Sequence, residues 1–201
     1  MKKILFNDKF SLTQAVLSGR KTMTRRFVSE SLWDKWTEYD DFCGSVGVRG
    51  LNEIGVAVTR EYSDCEKFFL DNSPYKLGEV VAVAQSYKDC GLFDVYQAPK
   101  DTAGWTNKMF VRADLMPHRI RITNVRVERL QDISDEDCIK EGIWMAENVG
   151  FQGVSYWYPN LCNSKFKTPR EAYAALIDRI SGKGTFESNP YVFVYEFELI
   201  K

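Results

Sequence analysis

After Gly19 the chain reads Arg20-Lys21-Thr22-Met23-Thr24-Arg25-Arg26, which sets one lysine, two hydroxyls and three guanidiniums together with no acid among them. Two kinds of chemistry suit that set. The cations can hold an anion, and a threonine hydroxyl beside a lysine can attack a carbonyl once the lysine has given up its proton. Arg20, Arg25 and Arg26 press Lys21 towards the neutral amine, whereas a nearby carboxylate would press it the other way. The amine leaving such a reaction must be protonated, a task for a carboxylic acid. Spacing alone does not pick that acid out of the 28 Asp and Glu residues. A lysine and a threonine three residues apart would point to opposite faces of a straight strand, so the segment has to turn if they are to meet, and Gly19 can provide the turn. A plain basic surface turn is the competing reading of the same residues.

Other chemistries are excluded more directly. His118 is the only histidine, which rules out a site needing two imidazoles. Beside Pro117 it reads as a loop or strand-start residue. Cys43, Cys65, Cys90, Cys138 and Cys162 are odd in number and widely spaced, with no CxxC pair, so reduced thiols are expected and not a disulfide scaffold or a zinc site. Neither a metal nor a cofactor is expected. No stretch approaches the roughly 18 apolar residues of a membrane span, and Met1 to Asn7 reaches a polar residue too soon for a signal peptide. A cytoplasmic protein without membrane contact is the expectation.

The 201 residues, 44% of them hydrophobic, are expected to form a single domain. Net charge is only -1, yet it is segregated. Lys108, Arg112, Arg119, Arg121, Arg126 and Arg129 face only Asp114 and Glu128 in one stretch, and Asp132, Asp135, Glu136, Asp137, Glu141 and Glu147 face only Lys140 in the next. Such blocks can steer an anionic ligand, and they are equally the solvated faces of a folded domain.

Three short helices are marked by their ends. Ser11 and Gln14 form a capping box for Leu12 to Ser18, closed by Gly19. Ser134 starts a second, with Asp135, Glu136 and Asp137 in its first turn and Gly142 just past Glu141. Thr168-Pro169-Arg170-Glu171 opens a third, with Ala172, Tyr173, Leu176, Ile177 and Ile180 as its apolar face and Gly182 at its end. Strands are predicted over Ile4 to Asn7, Ile54 to Thr59, Glu79 to Gln85, Met109 to Arg112, His118 to Glu128 and Tyr191 to Ile200. In the last, Phe193, Tyr195, Phe197 and Leu199 alternate with polar residues as in a half-buried strand. The apolar phase changes between Ile122 and Val125, so a bulge near Thr123-Asn124 should bend that strand, as suits a small barrel. Insertions at about 29–74, 88–107 and 143–167 hold all five tryptophans, Trp33, Trp36, Trp105, Trp144 and Trp157, and read as packed flaps whose rings either cover the barrel or stack on a base.

Taken in order, Gly19 to Arg26, Lys76-Leu77-Gly78-Glu79-Val80-Val81-Ala82-Val83, Arg119 to Glu128, Glu141-Gly142 and Val192-Phe193-Val194-Tyr195-Glu196-Phe197 resemble the ASCH domain. They match its G-x-K-T opening, its glycine-led strand, its central strand, its acidic helix ending in Glu and its closing strand, over about half of the chain. The resemblance implies an α+β fold, a PUA-like small mixed β-barrel with about three short helices, whose cleft handles RNA or a modified nucleoside. One branch of the family removes acetyl from 4-acetylcytidine with a Lys, a Thr and a Glu. Carried over, Thr24 is the nucleophile, Lys21 the base that activates it and Glu141 the acid that assists the leaving amine. Arg20, Arg25 and Arg26 are then substrate contacts, joined by Gln85 and Tyr87, which stand where family strands often carry an Arg. That branch is much more compact, and the insertions here can narrow, widen or cover the cleft. Two alternatives stay open: an RNA-binding module without catalysis, in which Arg112, Arg119, Arg121 and Arg126 hold phosphates with Arg25 and Arg26, and an ASCH-type ribonuclease working with Lys21 and Glu141. The near-neutral total charge argues against strong non-specific RNA binding.

Overall fold

Tyr191–Ile200 (β7) is the strand around which the rest assembles. Val192, Phe193, Val194 and Tyr195 are all buried, so its first half is covered on both faces, and only the far half alternates as the sequence suggested. In the computed structural model the described residues are 1–46, 61–91, 103–147, 153–161 and 165–200. The predicted strand from Ile54 to Thr59 lies outside them.

Five strands form one mixed sheet: β1 (Lys3–Ile4), β3 (Val80–Val83), β4 (Arg119–Arg129), β7 and β2 (Met23–Phe27), in that spatial order. The β1–β3 pair is parallel and the other pairs are antiparallel. The expected bulge is present, as a register shift between Ile122 and Asn124 where β4 meets β7. The fold is α+β, but among the described residues the sheet is not closed into a barrel, because β1 and β2 end it on opposite sides without pairing. A side chain bridges part of that gap: the Arg26 guanidinium on β2 donates through Nη2 to the carbonyl of Leu5, the residue after β1.

Two helix caps form as their sequences direct. The Ser134 hydroxyl accepts from the Asp137 amide at 3.1 Å ahead of α4 (Asp135–Lys140), and the Thr168 hydroxyl accepts from the Glu171 amide at 3.2 Å ahead of α5 (Pro169–Ser181). The Ser11 capping box does not form. Ser11 closes a preceding 3-10 turn in the left-handed region, φ 56°, so its hydroxyl makes no cap to α1 (Leu12–Leu17).

The insertions hold more regular structure than their composition suggested. Residues 30 to 46 form a helix, α2 (Glu30–Val46), and Trp33, Trp36 and Tyr39 follow one another at three-residue spacing along it to meet Phe68 and Phe69 of α3 (Cys65–Asp71). Trp33 touches Phe69 at 4.8 Å and Tyr191 at 5.8 Å between ring centroids, so these two tryptophans serve packing. Trp144 and Trp157 sit opposite each other in a hairpin of β5 (Trp144–Glu147) and β6 (Val154–Trp157). The predicted strand from Met109 to Arg112 is instead a 3-10 turn over Lys108–Phe110, set by the Asn107 side chain accepting from the Met109 amide at 3.0 Å, with Met109 and Phe110 exposed. No helix among the described residues is long and apolar enough to cross a membrane.

Candidate active site

The basic segment divides into a turn and a strand. Gly19 takes φ +74° after α1, the Lys21 amide bonds back to the Ala15 carbonyl at 2.8 Å, and the Thr22 amide reaches the Lys140 carbonyl at 2.9 Å. The turn is thereby fixed against the end of α4. From Met23 the chain straightens into β2, where Thr24, Arg25 and Arg26 pair with Tyr195, Val194 and Phe193 of β7. Lys21 on the turn and Thr24 on the strand consequently escape the opposed orientation that a straight segment would impose.

Lys21, Thr24, Arg25, Arg26 and Glu141 line one cavity of about 200 Å³. The opposite wall is apolar and belongs mainly to α5, through Tyr173, Leu176, Ile177 and Ile180, with Leu5, Phe6 and Phe27 completing the enclosure. It lies at the seam where the sheet fails to close, since Leu5 and Arg26 border both.

Glu141 is the residue after α4, and Gly142 at φ +97° turns the chain away beyond it. Its carboxylate meets the Lys21 ammonium directly through Oε2, and its backbone carbonyl accepts from the same nitrogen at 2.9 Å. Lys21 is 2% exposed and Glu141 4%, so the pair is enclosed by protein. Burial pushes the Lys21 pKa below the ordinary lysine value; Glu141 draws it back up, and Arg26 and Arg25 press it further down. The lysine is tuned towards losing its proton more readily than a surface lysine. Thr24 is 4% exposed on the same cavity.

Arg25 is committed elsewhere. Its Nε and Nη2 donate to Glu128 at 2.9 and 2.7 Å, Nη2 also reaches Asp137 at 2.9 Å, and Nη1 reaches the second oxygen of Glu141 at 3.2 Å. Against the cost of burial, the carboxylates of Glu141 and Glu128 hold its guanidinium even more firmly protonated than usual. Burial would raise the Asp137 pKa, but Arg25 and Arg126 outweigh it and hold the carboxyl below the usual range. Arg126 extends the array to Glu128 and Glu196, each at 2.9 Å, and to Asp137. Acids and bases thus alternate from the solvent edge of β4 to the floor of the cavity. Arg25 orients Glu141, and its donors are occupied by protein acids.

The remaining candidates fall in different places. Arg26 borders the cavity, and its Nε is buried without a partner. Arg20 stacks over the Trp144 ring at 4.1 Å and leans on the Gly142 carbonyl at 3.4 Å, outside the cavity lining. Gln85 bonds His118 Nδ1 at 2.7 Å and opens onto a separate hollow with Asp8, Thr13 and Asp89. The Tyr87 hydroxyl accepts from the Arg112 amide at 2.8 Å. Neither Gln85 nor Tyr87 lines the Lys21 cavity. Arg112 pairs with Asp114 at 2.6 Å and Arg121 with Glu198 at 3.2 Å, both exposed, while Arg119 is exposed at the start of β4. A larger, shallower hollow of about 470 Å³ over Lys2, Lys3 and Tyr75 holds no group set for chemistry, because Lys2 turns to Glu79 and Lys3 to backbone carbonyls. No group of three or more His, Cys, Asp or Glu among the described residues is arranged to hold a metal ion.

Sequence reasoning missed Glu128, Asp137 and the α5 wall as parts of the site. One signal for Asp137 was available: Asp137 and Glu141 are four apart, which sets both on one side of a helix end. Gly142 gives a local test. A Cβ there would lie 3.1 Å from Lys21 Cβ and 3.2 Å from Ala15 Cβ, on backbone that L residues rarely adopt. Gly142→Ala is expected to cost about 1–2 kcal/mol from the backbone alone, with crowding added, and to displace Lys21. A denaturant midpoint equal to that of the parent protein would contradict this. No protein-family model, no curated protein and no solved structure matches the chain.

Proposed function

We propose that this protein is an ASCH-type amidohydrolase with a PUA-like ancestry to its opened sheet, cleaving the acyl amide of a modified nucleoside such as 4-acetylcytidine. The observation that carries the reading is the contact between Lys21 and Glu141, 120 residues apart in sequence, buried on a cavity that Thr24 also lines. A lysine whose pKa is lowered by burial, in contact with a carboxylate and on the same cavity as a threonine hydroxyl, is a nucleophile set for acyl transfer. In its neutral form Lys21 takes the proton of Thr24 Oγ as that oxygen bonds to the substrate carbonyl carbon. The proton is then relayed through Lys21 and Glu141 to the nitrogen as the C–N bond breaks, and water hydrolyses the threonyl ester to regenerate Thr24. Arg26, with an N–H to give, contacts the electron-rich oxygen. The RNA-binding alternative is weakened by the acids that occupy Arg112, Arg121 and Arg126. A cytoplasmic setting, where thiols stay reduced and nucleosides are free, fits this assignment.

The test is a panel of acylated nucleosides, headed by 4-acetylcytidine, assayed for release of carboxylic acid. Release is expected, with kcat rising with pH as Lys21 deprotonates and a midpoint below the ordinary lysine value of 10.5. The sign follows from the role: the base must be neutral, and burial makes it neutral at lower pH. Absence of release from every member, or a rate that falls with rising pH, would sink the proposal.

A further inference from the structure

Among the described residues, three buried side-chain polar atoms have no hydrogen-bond partner: Arg26 Nε and the hydroxyls of Tyr158 and Tyr173. They are not scattered. Arg26 and Tyr173 line the Lys21 cavity, and Tyr158 is close enough to Glu141 and Tyr173 for each to influence its ionisation. Folded proteins pair nearly all such groups, because an unpaired buried hydroxyl is destabilising, so unpaired donors gathered at one site are donors kept for a ligand. Tyr173 is 1% exposed on α5, its ring held edge-on to Phe186 at 6.3 Å, and it is the one phenol in a wall otherwise made by Leu176, Ile177 and Ile180. Burial, followed by the charge of Glu141, raises its pKa well above that of an ordinary tyrosine, so the group keeps its proton and acts only as a neutral donor at working pH.

We infer that the Tyr173 hydroxyl belongs to an acyl-oxygen subsite, donating to the carbonyl oxygen of the bound substrate and to the oxyanion that forms when Thr24 attacks. This rests on the amidohydrolase reading and narrows its substrates to neutral acyl groups. Lys21 and Arg25 are already matched by Glu141, Glu128 and Asp137, while Arg26 is bonded to the Leu5 backbone carbonyl, and a neutral phenol among apolar residues suits a neutral carbonyl oxygen better than a phosphodiester. Apolar neighbours exclude water from the donor, which strengthens its hydrogen bond at the moment charge develops.

Tyr173→Phe keeps the ring and removes only the donor. The variant is expected to lose about 100- to 1,000-fold in kcat with little change in KM, and to melt at the same temperature as the parent or higher, because no protein hydrogen bond is lost. A second readout isolates the contact. The thiocarbonyl analogue of the same amide offers a poor acceptor, so the parent should discriminate against it, and that discrimination should shrink in Tyr173→Phe. Undiminished kcat, a lowered melting temperature or an unchanged thiocarbonyl ratio in an active protein overturns this inference alone. A parent protein that hydrolyses no acylated nucleoside overturns the amidohydrolase reading and this inference together.

Discussion

Thr24→Ala is expected to abolish hydrolysis of acylated nucleosides, a fall in kcat of at least about a thousandfold, while the protein stays folded. In the proposed scheme the loss is chemical, because the Thr24 hydroxyl is the atom that bonds to the carbonyl carbon. The fold tolerates the change because Thr24 holds its place through backbone pairing of β2 with Tyr195 of β7, which alanine preserves. Thr24→Ser should restore part of the rate. Lys21→Ala should match Thr24→Ala, and the double variant should be no slower than either single one, since base and nucleophile act as a unit. Single-turnover kinetics with mass spectrometry on the parent should detect an acyl group on Thr24. Near-parental turnover by Thr24→Ala would remove the nucleophile from this scheme.

The largest effect on stability is expected from Arg25→Met, at about 3–5 kcal/mol, read as a lowered urea midpoint. The guanidinium is almost wholly buried and meets Glu128, Asp137 and Glu141, so its removal leaves three carboxylates facing one another with Lys21, Arg126 and the more exposed Lys140 as the remaining cations. Arg126→Met, on the outer and more exposed side of the same array, should cost much less. The deficit of Arg25→Met should also narrow in acid. Asp137 is held below its ordinary value of 3.8 by Arg25, so the stabilisation it shares with Arg25 is complete above that value and fades as pH falls through the lowered one. A midpoint for Arg25→Met within error of that for Arg126→Met would show that the array is a surface decoration.

Local signals translated into local structure at several points. Thr168 and Ser134 cap their helices through the side-chain contacts their positions imply, and the change of apolar phase in β4 became a register shift at the expected residues. Features decided by distant partners were harder to read. Met23-Thr24-Arg25-Arg26-Phe27 has no apolar alternation, and it is a strand because β7 offers it a ladder and because acids from β4 and α4 neutralise its arginine. Ser11 carries a good capping sequence, but the preceding 3-10 turn claims its backbone first. The helix at 30 to 46 was hidden by a composition rich in turn residues, although its rings follow a helical spacing. In the site, Lys21 and a threonine three residues on follow from residue chemistry, whereas Glu141 is picked out of 28 acids only through resemblance to a family. The commitment of Arg25 to acids 103 to 116 positions away lay beyond any local rule.

The open seam of the sheet has a consequence for solubility. β2 is a terminal strand, and a terminal strand with a regular, uncharged outer edge invites the addition of a strand from another molecule. Here that edge carries two arginines in succession, one drawn into an array of acids and the other turned across the gap to the Leu5 carbonyl, while β1 on the far side is only two residues long. Neither border offers a flat template of repeating length. The charges that furnish the cavity therefore also guard the molecule against self-association through its sheet edges.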